Sequence, residues 1–120
     1  ADASVLSAIQ QGAKEILLAE DVLDYAVQLT MLTHPGEQGV PDSVKKYVRF
    51  GSGPRGLQSI VSVAKVRALT AGRLHVSVND IQKVAVPALR HRIFLNFEGQ
   101  AMGVGTDAVI EDILAAVEKR

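Results

Sequence analysis

Cysteine is absent from the 120 residues, so there is no disulfide framework, thiolate nucleophile or cysteine-based metal site. That absence agrees with a cytoplasmic home. Net charge is absent too, because 13 basic residues cancel 13 acidic ones. A nucleic-acid module carries a marked basic excess, so no nucleic-acid partner is expected. No apolar run is long enough to span a bilayer, since Glu20, Asp21 and Asp24 interrupt the richest region. No membrane partner is expected, and no secretory signal is visible. Aromatic residues make up only 4% of the chain while 48% is apolar. The core must therefore be built from Val, Ile, Leu and Ala, which suits packed helices. The length fits one domain with one real core. The chain begins with Ala1 and helical character starts at once. That suggests a piece cut from a longer chain, although N-terminal processing gives the same start.

What is present is organised around Gly51-Ser52-Gly53-Pro54-Arg55-Gly56, a glycine-rich turn that opens a long apolar helix. Pro54 has a preset φ and lacks an N–H that would go unpaired anyway, so it suits the first helical position. Gly53, or Ser52 before it, is then the N-cap. Arg55 falls in the first turn, beside backbone N–H groups with no partner in the helix. Free donors, the positive end of the helix dipole and a guanidinium together suit an anion. An arginine at this point is ordinarily just solvated, and the dipole does not favour a cation there. The placement makes most sense if an anion arrives to offset it.

Around this turn the periodicity predicts a succession of helices. Ala3 to Gln11 reads as a short helix stopped by Gly12, and Ile16-Leu17-Leu18 as a brief extended piece. A second helix runs from about Glu20 to Thr33, with Ala19 a poor N-cap, and Pro35 and Gly36 end it. Gly36 to Asp42 reads as a mobile loop. Val44 to Phe50 fits a helical turn or a short strand equally. The third helix runs from Pro54 to about Ala71 with Gly72 as its C′ residue. Ser77 and Asp80 form a capping box for the fourth helix, which Pro87 should bend. Ile93 to Phe97 is a short apolar piece, Gly99 to Gly105 a turn-rich link, and Thr106 the cap of a last helix. These elements predict an all-α bundle of about five helices, with room for a very short β pairing.

The other chemical signals are weaker. Gly51, Gly53 and Gly56 match the dinucleotide fingerprint G-x-G-x-x-G, but no second buried strand with a terminal acid follows the helix. Asp80 lies at a suitable distance, yet its neighbours make it a cap residue. Gly-Lys-Ser and Gly-Lys-Thr do not occur, so no Walker phosphate loop is present. His34, His75 and His91 are scattered, and no metal site is predicted. Arg90-His91-Arg92 sits at the end of the fourth helix. Its placement against the negative dipole end is favoured over a role as a second anion contact or a subunit contact.

At the glycine turn the chain also resembles a family. Val48 to Gly56 is similar to the "G-A-S-P-R-A" turn of MoxR-family AAA+ ATPases. The resemblance continues through Ala64 to Leu69, Gly72-Arg73, Val76 to Ile81, and Val86 to Ile93, where the family has a Pro-Val-Leu-x-His-Arg run. Upstream, Val22 to Tyr25 resembles its "V-x-x-Y" helix. The resemblance implies one domain over residues 1–120: the helical lid that follows an α/β nucleotide-binding domain. It implies ATP and Mg²⁺ held mainly by that upstream domain, with Ser52, Gly53, Pro54 and Arg55 on the nucleotide side. Arg55 matches the sensor-2 arginine, which reaches the terminal phosphate and assists catalysis. The implied partners are the lid's own base domain, neighbouring ring subunits and von Willebrand A-domain proteins. The implied work is chaperone-like remodelling, complex assembly or metal-cofactor insertion. Lacking Walker A and B, the chain should not hydrolyse ATP alone. Gly53 replaces the family's serine at a cost of a few tenths of a kcal/mol. Gly56 replaces an alanine at a cost of ~0.5–1 kcal/mol, which should loosen the turn. The competing expectation is a helical protein-interaction module without nucleotide contact.

Overall fold

The structure is a computed structural model that describes residues 16–118. The helix expected over Ala3 to Gln11 lies outside the described residues. Among the described residues six helices and one two-stranded antiparallel sheet follow one another: α1 (Glu20–Met31), α2 (Asp42–Tyr47), β1 (Val48–Phe50), α3 (Pro54–Thr70), α4 (Val78–Leu89), β2 (Phe94–Leu95), α5 (Phe97–Ala101) and α6 (Thr106–Glu118). The all-α class holds, with the β pairing reduced to a clip.

α3 and α4 form the central antiparallel pair, and α1 and α6 close over it. Leu29, Leu32, Ile60, Ile81, Leu89, Ile110 and Ile113 fill the middle. Ala26, Ala64, Ala68 and Ala85 are fully buried between them, where small side chains let helix backbones approach closely. Full burial of one such Leu or Ile is worth about 1.5–3 kcal/mol.

The helix ends explain the boundaries. α1 starts after Ala19, an N-cap that makes no side-chain capping bond. At the far end of α3, Gly72 takes φ 76°, its N–H bonds Leu69 O at 3.0 Å, and Arg73 N–H bonds Ala68 O at 2.9 Å. This is a Schellman stop, and it aims Arg73 back toward α4. α4 opens on the expected capping box: Asp80 N–H donates to Ser77 Oγ at 3.2 Å and Ser77 N–H to Asp80 Oδ2 at 2.8 Å. Asp80 is more than a cap. Its fully buried carboxylate also accepts from both Arg73 Nη atoms at 2.5 and 2.6 Å, and Arg67 Nε lies 3.3 Å away. The Arg73 hydrogen bonds hold the Asp80 carboxyl well below the usual carboxylate range, against the opposing effect of burial. One side chain thus ties the end of α3, its turn and the start of α4. α4 runs through Pro87 to Leu89.

Several boundaries differ from expectation. Val44 to Phe50 is neither helix nor strand alone: Val44, fully buried, anchors α2, and Val48 begins β1. Ile93 to Phe97 divides into β2 and the start of α5, and α5 takes up part of the expected Gly99 to Gly105 link. Asn96 caps α5 by accepting from Gly99 N–H at 2.8 Å. α6 starts at the expected cap itself, one residue early, since Gly105 O already accepts from Val109 N–H and Thr106 is helical. Leu17 forms a parallel bridge to His75 and keeps the Ile16–Leu18 piece extended.

Candidate functional site

The glycine turn lies between β1 and α3. Gly53 is the N-cap of α3 in extended conformation, and Pro54 is its first residue. Two side chains that follow α1 grip the turn. Ser52 N–H donates to Thr33 Oγ1 at 2.8 Å, and Thr33 Oγ1 in turn donates to Thr30 O at 2.6 Å. His34 Nε2 donates to Ser52 O at 2.8 Å, which puts the ring proton on that nitrogen. A Cβ on Gly51 would lie 2.6 Å from Thr33 O and from Thr33 Oγ1, so only glycine permits the approach. Thr33 is fully buried, and nothing in its sequence context marks it as the anchor of a turn 19 residues later.

The turn faces two ways. Ser52 is buried, with its Oγ directed to Gly53 O at 3.2 Å, whereas Gly53, Pro54 and Arg55 are exposed. Of the residues expected on the nucleotide side, these three present their surfaces and Ser52 anchors them from beneath. Gly56 is buried below Arg55, and a Cβ there would overlap Ser52 Oγ and approach Leu89 Cδ2 to 3.2 Å. Glycine at 56 is therefore the complement of serine at 52, not a loosening of the turn. The resembling G-A-S-P-R-A motif carries alanine at both positions.

Arg55 opens onto a cleft of about 510 Å³ that it shares with Gly51, Gly53, His91, Arg92 and Phe94. The fold makes this juxtaposition twice over. α3 and α4 are antiparallel, so the turn after α4 comes beside the turn before α3; the pairing of β1 with β2 then clips the other ends of both turns together. Arg90 does not join them. Its guanidinium makes a two-pronged pair with Asp107 on α6, at 2.8 and 2.9 Å, so the basic run does more than sit against the helix dipole. Among the described residues neither Arg55 nor Arg92 has a carboxylate partner. The cleft is thus cationic and open. Phe94 borders the cleft and faces Phe50 across the strands, 59% and 58% exposed, with the Arg49 guanidinium 5.1 Å above the Phe50 ring.

This arrangement suits a polyanion. It does not suit a dinucleotide held in the Rossmann manner, because β1 has three residues and pairs antiparallel. Among the described residues no group of three or more His, Asp or Glu side chains is gathered to hold a metal ion. No helix of the described residues is long and apolar enough to cross a membrane.

Comparison with known proteins agrees with the geometry. Residues 42–113 match the AAA lid domain family. The chain is 31% identical over 109 residues to chaperone MoxR1 of Mycobacterium tuberculosis, covering 91% of this chain and 29% of that one. It is 34% identical over 97 residues to protein MoxR of Methylorubrum extorquens, covering 77% and 27%. The crystal structure of a candidate ATPase from Cytophaga hutchinsonii superposes with a TM-score of 0.83 at 32% identity, covering 88% of this chain and 32% of that one. The chain spans about a third of the length of these relatives. Its matched turn, its helix order and the family match together place it: the chain belongs to the AAA lid domain family, as a lid of the MoxR-family AAA+ ATPases.

Proposed function

We propose that this lid serves an ATPase whose α/β nucleotide-binding domain precedes it, and that Arg55 is the arginine that reports the terminal phosphate. The observation that carries the reading is the state of Arg55: exposed, without a carboxylate partner among the described residues, and set on a turn clamped to the end of α1. The fit to ATP is electrostatic, since three basic side chains border the cleft that would meet several phosphate charges. The described residues offer no donor set for Mg²⁺, which the upstream domain would hold. ATP bound there supplies a γ-phosphoryl group whose transfer develops charge on its oxygens. Arg55 donates to those oxygens and stabilises the charge without reorganising at the moment of reaction.

Because Arg55 lies in the first turn of α3, its pull on a phosphate acts on the whole bundle. α3 carries α4 with it through the Asp80 network and the shared core. The lid swings toward the base while the phosphate is present, and Arg55 loses its partner when the phosphate leaves. The exposed apolar pair of Phe50 and Phe94 suits contact with the base domain or with a neighbouring subunit of a ring. The chaperone description of the mycobacterial relative supports use of this motion to remodel client proteins.

The test is Arg55→Ala in the full-length ATPase, with ATP affinity and turnover measured beside the wild type. Turnover should fall tenfold or more, about 1.4 kcal/mol of transition-state stabilisation, while the thermal unfolding midpoint stays within a degree or two. Unchanged turnover would leave the turn as a helix start and favour the interaction-module reading.

A further inference from the structure

We propose that Arg92, with His91 beside it, is a second cationic contact for the same phosphates, closing on them from the side opposite Arg55. The inference rests on the reading of the cleft as a phosphate site. Three adjacent basic residues follow α4, and the structure gives them different occupations. Arg90 is committed to Asp107, and Ile93 is buried in the core at 4% exposure. The two residues between these anchors have a fixed backbone, and both border the cleft of Arg55. Arg92 is half-buried, whereas His91 is exposed and close enough to Asp107 to contribute slightly to holding that carboxyl low, behind the larger contribution of Arg90. Arg92 is therefore the principal contact. Among the described residues no acidic side chain borders the cleft to neutralise either guanidinium.

The spacing is set by the fold and not by the side chains alone. Leu89, one turn before Arg92, packs against Gly56, one residue after Arg55, and β1 pairs with β2 just beyond. Two guanidinium forks on two turns locked in this way can each take a different phosphate oxygen. A single arginine would register a phosphate; the pair would also register its position between the turns.

The test uses the complete ATPase with Mg²⁺ and ATP, comparing Arg92→Lys, Arg92→Gln and Arg92→Glu with Arg55→Ala. The ATP dissociation constant should rise in the order Lys, Gln, Glu, with the Gln variant about tenfold weaker than wild type. Thermal unfolding should stay near wild type, because Arg92 holds no structural ion pair among the described residues. A purely structural residue would not order its variants by charge. ATP affinities like the wild type, or losses that follow no charge order, would overturn the proposal even if Arg55→Ala is impaired. Losses at Arg92 with an unaffected Arg55→Ala would instead overturn the sensor role of Arg55 and keep Arg92 as a phosphate contact.

Discussion

Gly56→Ala should destabilise this protein, although replacing glycine by alanine inside a helix ordinarily stabilises it. The helical gain is about 0.5–1 kcal/mol. Against it stands a Cβ that overlaps the Oγ of the buried Ser52 and lies 3.0 Å from Ser52 Cβ and 3.2 Å from Leu89 Cδ2. Overpacking of this kind costs about 1–3 kcal/mol, so the net loss should be about 1–2 kcal/mol. Ser52→Ala alone removes one long hydrogen bond to Gly53 O and should cost about 0.5 kcal/mol. Together the two changes should give a protein as stable as the wild type or slightly more so, because the overlapping atom is gone and the helical gain remains. The coupling between them is then about 1.5–2.5 kcal/mol, well above the ~0.3–0.5 kcal/mol scatter of independent sites. Urea unfolding of the four proteins followed by circular dichroism measures it directly, and Gly56→Ala should lower the thermal midpoint by roughly 4–8 °C. Additive effects would refute the reasoning, since they would mean that Ser52 Oγ does not occupy the space beside Gly56. The family turn with alanine at both positions is, on this argument, the other solution to the same packing problem.

Two further outcomes follow from buried polar groups. Asp80 has a folded-state pKa depressed below its unfolded value of about 3.9. Its stabilisation is therefore fully present above pH 4–5 and is lost as pH falls through the folded value. Stability should be flat near neutrality and drop steeply in acid, and Asp80→Asn should lower it by about 2–3 kcal/mol at pH 7, less than for a wholly buried pair because Arg73 keeps contact with water. The same variant should lose most of the acid dependence; an unchanged acid limb would show that other carboxylates control it. Thr33→Val strands the Ser52 N–H in a buried position and should cost about 1–3 kcal/mol, while Thr33→Ser should restore nearly all of it, as read by chemical denaturation.

The local chemistry of the chain was legible without coordinates wherever one segment decided the outcome. Pro54 after Gly53, Gly72 after a long apolar helix, and Ser77 with Asp80 mark ends that backbone sterics and capping fix within a few residues. The helical periodicity of Leu57, Ile60, Ala64 and Ala68 likewise located the face that packs, and Arg55 was visible as a cation at the wrong end of a dipole. The short elements α2, β1, β2 and α5 were not legible, because pieces of two to six residues have no stability of their own and exist only where Val44, Val48 and the strand pairing hold them. Nor was the clamp of Thr33 and His34 on Ser52, which joins residues 18 and 19 positions apart. The division of labour among Arg90, His91 and Arg92 was hidden for the same reason: a run of basic residues does not reveal which of them faces a carboxylate on another helix. Sequence by itself determined the long helices, the ends marked by Gly53, Gly72 and Ser77 with Asp80, and the arginine; only the antiparallel packing of α3 on α4 brought two distant turns to one cleft, since charge convergence depends on distances through space that no linear spacing contains.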